Sequence, residues 1–160
     1  MQLTQLVVKP YTQMLNALAG WLTKAQAQLP AAEAEALLSA RLASDMFPLA
    51  TQIRFACIQA QEAVYRLQNA PFPPSMAQLR AEAINAGEQP GTMADAKAWI
   101  DDSTALLASI APDAFDADGA NPIAHELPNA MIFDFTTEEF VRDWSIGQFY
   151  FHLMMTYAIL

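Results

Sequence analysis

Near the C-terminal end of this 160-residue chain, Ser145, Gln148, His152 and Thr156 follow one another at steps of three, four and four. Such steps bring side chains to one face of an α-helix, so the four form a polar seam on an otherwise apolar segment. The seam has three readings: a narrow stripe facing solvent, a core histidine with its hydrogen bonds satisfied, or the lining of a ligand cavity inside a helix bundle. An uncharged amide such as Gln148 is a poor zinc or nickel ligand. Carboxylates join imidazoles in many metal sites, yet no Asp or Glu lies within a turn of His152 on its own helix. Nucleophilic chemistry has less support. Cys57 lies between Ala56 and Ile58 in an apolar pattern and reads as a buried, inert thiol. The serines fall in caps or helices with no Gly-x-Ser-x-Gly turn, and the five glycines form no phosphate-binding loop. Asp101-Asp102 and Glu138-Glu139 are neighbours in sequence, so they point different ways on a helix and read as solvated or capping groups.

Four long segments with helical periodicity must position these groups. The first spans about Leu6 to Leu29, with Val7, Tyr11, Met14, Leu15, Leu18, Leu22, Ala25 and Leu29 as one apolar stripe. Pro30 ends it, and a short helical piece follows with Leu37, Leu38 and Leu42 inward. The second is expected from Asp45, an N-terminal cap that tolerates Pro48 in the first turn, to about Gln68. Pro71-Phe72-Pro73-Pro74 is a stiff connector, and Ser75 to Ala86 suggests a short helix stopped by Gly87. The third opens at Thr92, with Asp95 three residues on, and ends before Pro112; Asp113 to Asn121 reads as an acidic loop. Ile123 to Leu127 and Met131 to Phe135 flank Pro128-Asn129-Ala130 as a small hairpin. Thr136-Thr137-Glu138-Glu139 is a capping box for the last helix, from about Thr137 to Leu160. The expected fold is all-α, a four-helix bundle with short inserts, as one domain over residues 1–160.

Charge is divided unevenly along the chain. Residues 1–80 hold six basic and four acidic side chains, a net +2, whereas residues 81–160 hold two and thirteen, a net −11. A chain this acidic repels phosphate backbones and anionic lipid, so neither nucleic acid nor a membrane surface is expected as partner. Although 54% of residues are hydrophobic, no stretch approaches the ~20 uncharged apolar residues of a membrane span. The longest candidate, Trp144 to Leu160, is interrupted by the seam itself. Met1-Gln2-Leu3-Thr4 offers no basic segment ahead of an apolar run, so no signal peptide is expected. A single cysteine rules out an intrachain disulfide and fits a reducing, cytoplasmic setting.

Three segments together resemble a known family. They are Ala43-Ser44-Asp45-Met46-Phe47-Pro48-Leu49, the Leu127–Phe135 hairpin, and Phe149-Tyr150-Phe151-His152 with Thr156-Tyr157-Ala158-Ile159-Leu160. The combination is similar to an uncharacterised bacterial domain of unknown function among the DinB/YfiT-like helical bundles. Gly147-Gln148 stands where that family usually has a proline-asparagine pair, and the insert around residues 80–92 is unusual. The resemblance implies a four-helix bundle, often dimeric, with no established activity. In the wider superfamily many members bind a divalent metal through three histidines, two of them spaced i, i+4 on the last helix, and some are thiol-dependent transferases or hydrolases. This chain has two histidines, His125 and His152, and carries Gln148 where the partner of His152 would stand. No metal and no cofactor are therefore expected.

The last helix is apolar around most of its circumference. Trp144, Phe151, Met154 and Ala158 make one row; Ile146, Phe149, Tyr150, Leu153, Tyr157 and Leu160 make another. One row suffices for the bundle core, and the other points to a homodimer, unless the hairpin and inserts fold over it. The functional expectation is a self-associating protein with a small-molecule site near His152. The alternative is a divergent metal-dependent transferase or hydrolase.

Overall fold

A computed structural model describes residues 2–117, 119–127 and 129–160 of the chain. Met1, Asp118 of the expected acidic loop and Pro128 of the expected hairpin turn lie outside the described residues. Among the described residues, α1 (Leu3–Gln28), α3 (Leu49–Leu67), α5 (Met93–Ala108) and a C-terminal helical run form a four-helix bundle. That run comprises α6 (Thr137–Glu139), a π-helical segment (Phe140–Ser145) and α7 (Ile146–Ile159). In the bundle α1 packs on α5 and α7, and α3 packs on the same two helices. Consecutive α1 and α3 thus sit on a diagonal, which demands the long connection that carries α2 (Ala31–Ala36) and a 3₁₀ turn (Leu37–Ser39). The shorter α4 (Pro74–Asn85) lies against α3.

Helix starts explain most departures from the sequence expectation. The first helix begins at Leu3, earlier than expected, although Gln2 gives it no side-chain cap. Instead the distant acidic loop supplies one: Asp116 Oδ1 accepts from the Thr4 amide at 2.9 Å, and Thr4 Oγ1 accepts from the Phe115 amide at 2.8 Å. A carboxylate at that end also suits the helix dipole. The second long helix starts at Leu49 and not at Asp45, which is exposed in a turn; Pro48 is the N-cap, in extended geometry. Leu49 donates back to the Ala40 carbonyl at 2.9 Å, which holds residues 40–48 as a loop outside the helix. Where side-chain caps are local the expectation is met. Thr92 with Asp95, and Thr136 with Glu139, both form complete capping boxes.

The hairpin pairs β1 (Pro122–Glu126) antiparallel with β2 (Ile132–Thr136), with His125 opposite Phe133. On β1 only Ile123 and His125 are buried, in the alternation of a strand with one face on the core. Leu3, Tyr11, Leu15 and Leu18 from α1 join Ile53, Ala56, Val64, Ile100, Phe149 and Leu153 in one apolar cluster. Among the described residues no helix is long and apolar enough to cross a membrane.

Candidate functional site

The polar seam of the last helix does not face solvent. Ser145 and Thr156 are fully buried, and His152 is nearly so. At 100° per residue, Ser145, His152 and Thr156 fall within an arc of about 40°, and Gln148 stands about 60° to one side, toward Trp144. That divergence separates the four residues. Ser145 Oγ is hydrogen-bonded to the Tyr11 hydroxyl at 2.8 Å, and Thr156 Oγ1 donates to its own helix at the His152 carbonyl, 3.0 Å away. Both are core groups with their bonds made. Gln148 and His152 instead line a cavity between α3, α4, the hairpin and the last helix.

His152 is held in one orientation. Its Nδ1 donates to Gln52 Oε1 on α3 at 2.8 Å, since an amide oxygen only accepts. The Phe55 ring stacks on the imidazole at 5.0 Å. Burial pushes the pKa down to about 4, so the ring is neutral at physiological pH. With Nδ1 protonated, Nε2 carries the lone pair and can accept a hydrogen bond or a proton.

The opposite wall is charged and centres on Glu62, which is buried on α3. Arg66, one helical turn on, donates from Nε to Glu62 Oε1 at 2.7 Å. Arg80 from α4 brings Nη2 to 3.6 Å from Oε2, and His125 from β1 brings Nδ1 to 3.5 Å from Oε1 without a hydrogen bond. Arg66 also donates to the Ala124 carbonyl at 3.3 Å, and its guanidinium lies over the Phe72 ring at 5.2 Å. His125 packs against Trp144, with ring centroids 4.6 Å apart. Burial lowers its pKa, and the Glu62 charge opposes that shift. His125 Nδ1 and Trp144 Nε1 are both buried without a hydrogen-bond partner. Trp144 sits in the π-helical segment, whose wider turns recur at functional sites. The cavity encloses about 790 Å³, within the range of small-molecule sites, and Phe47, Phe72 and Ile84 stand at its edge.

Sequence reasoning pointed to Gln148 and His152 but passed over Glu62, Arg66, Arg80, Trp144 and Phe55, and it treated His125 only as a histidine to be counted. Two signals were available. Glu62 and Arg66 have the i, i+4 spacing of a helical ion pair, and His125 alternates with Ile123 on the buried face of a strand. The donor set does not fit the metal centre that the superfamily resemblance brings to mind. Around His152 the candidate ligands are the amides of Gln52 and Gln148, and among the described residues no three His, Cys, Asp or Glu side chains come together. Cys57 is buried, with its thiol pushed up to about 12 by that burial, so it is no thiolate at neutral pH.

Residues 3–160 match the family described as a domain of unknown function, DUF1993. The chain belongs to that family. Among solved structures it is similar to the crystal structure of a DinB family member protein from Shewanella denitrificans, with a TM-score of 0.74 at 27% identity. That match covers 99% of this chain and 84% of the other. No curated protein matches the sequence. Membership in DUF1993 and the DinB-like match agree with the fold read from the periodic segments, and neither brings an activity.

Proposed function

We propose that this DUF1993 protein binds a small molecule in the cavity beside His152. One observation carries the reading: a neutral imidazole, two amides (Gln59 and Gln148), a buried charged cluster and an aromatic wall line a single cavity. Apolar walls with a few oriented polar groups are the usual makeup of such sites. The candidate binding residues are Gln148 and His152, while Ser145 and Thr156 of the same seam make their bonds within the bundle. A fragment screen by thermal shift tests the proposal. At about ten times its Kd a ligand stabilises by about 1.4 kcal/mol, or about 3–6 °C for a chain of this size. The expected hits lose their effect in Gln59→Trp, which fills the cavity from α3. An absence of hits, or hits that Gln59→Trp leaves unchanged, overturns the reading.

Self-association is the second part of the proposal. Phe151, Met154 and Tyr157 are exposed on the outer face of α7, and Trp21 of α1 packs beside Tyr157 with ring centroids 5.1 Å apart. Aromatic and methionine side chains are what interface centres favour. A cytoplasmic setting remains our reading from the lone, unpaired Cys57.

A further inference from the structure

We infer that the ligand of this cavity is an organic carboxylate with a flat, apolar body, an inference that rests on the cavity reading above. Arg80 carries the argument. Arg66, the other cation on the wall, is committed: Glu62, the Ala124 carbonyl and the Phe72 ring hold its guanidinium. The Arg80 side chain makes no hydrogen bond among the described residues. Its sole ion pair there is Glu62 Oε2 at 3.6 Å, and its side chain is 42% exposed. The planar guanidinium therefore presents open N–H donors to the cavity, in the fork geometry that matches a carboxylate. Glu62 already accepts from Arg66 and lies behind the arginines, buried. Glu126 on β1 is the second carboxylate on this wall; it is exposed, and no ion pair joins it to Arg80 among the described residues. A ligand carboxylate would supply the hydrogen-bond partner that the Arg80 guanidinium lacks.

The rest of the cavity fits the body of such an acid. The Phe55 ring, stacked on His152, makes a flat wall, and Trp144 and Leu127 add further apolar surface. Phe47, Phe72 and Ile84 border the same space yet remain exposed, so a bound apolar body would cover them. The neutral His152 adds no charge against an acid and offers a lone pair to a hydroxyl or amine on it.

Titration calorimetry with two probes of equal shape tests this inference: 2-naphthylacetate and the uncharged 2-naphthylacetamide. The acid is expected to bind the unaltered protein at least tenfold more tightly than the amide. R80Q should weaken the acid about tenfold and leave the amide within twofold. Arg80 is exposed enough for this change to spare the fold, which an unchanged far-UV spectrum checks. Equal binding of the two probes, or an acid preference that survives R80Q, overturns the carboxylate assignment and leaves the cavity reading intact. If neither probe binds at millimolar concentration, the assignment also falls. The cavity reading then stands or falls separately, on whether fragments lost in Gln59→Trp are found.

Discussion

His152 is a buried imidazole that titrates well below its value in water. An unfolded histidine titrates near 6.5, whereas burial holds this one at about 4. Between those values the unfolded chain binds more protons than the folded one, so stability is complete above about pH 6.5 and falls as pH drops toward 4. The loss by pH 5 is about 2 kcal/mol from this ring alone. His125 adds the same sign, since burial lowers it too. Glu82, Asp95 and Glu139 are held below the ordinary carboxylate range, so what they contribute is lost only at lower pH. Urea midpoints measured from pH 7 to pH 5 should fall in the native protein and fall much less in His152→Gln. Parallel declines in the two proteins would show that the buried imidazole is not the source.

At the scale of elements, the last helix is tied to the first through one buried pair. The Tyr11 hydroxyl meets Ser145 Oγ at 2.8 Å, and the Tyr11 ring stacks on Phe149 with centroids 4.1 Å apart. This contact joins α1 to the junction between the π-helical segment and α7. Ser145→Ala leaves the hydroxyl buried without a partner, which costs about 1–3 kcal/mol. Adding Tyr11→Phe removes the stranded group, so the double variant should recover part of that loss. Chemical denaturation of the two single variants and the double variant gives the coupling. Losses that simply add would mean the bond contributes nothing in this setting.

For the whole molecule, the outer face of the last helix is the surface through which assembly is expected. The two apolar rows expected from sequence are divided differently in the fold. Phe149 and Leu153 lie in the core, Trp144 borders the cavity, and Phe151 and Tyr157 remain 51% and 62% exposed. The hairpin and inserts do not cover those two rings. A change at Leu153 would therefore unfold the chain and could not report on assembly. Light scattering on a sizing column should give twice the 17.6 kDa chain mass. Phe151→Glu and Tyr157→Lys should each return the protein to the chain mass while keeping its helical spectrum. A monomer at micromolar concentration in the unaltered protein removes this part of the proposal.

Local chemistry determined what was legible in the sequence alone. The apolar stripes of four helices, the Thr92–Asp95 and Thr136–Glu139 caps and the strand alternation around His125 depend on neighbours within a few residues. Periodicity and capping act over that range, so the bundle could be read from spacing. The start of α1 could not, because its cap is Asp116, 112 residues away. Nor could the fate of the seam: whether a polar residue on a helix meets solvent, core or cavity depends on which helix packs against that arc. Only the tertiary structure sends Ser145 to Tyr11, His152 to Gln52, and Gln148 to the cavity. The Glu62, Arg66, Arg80 and His125 cluster draws on α3, α4 and β1. Its members share no sequence spacing beyond one ion pair, and packing of those three elements is what brings them together.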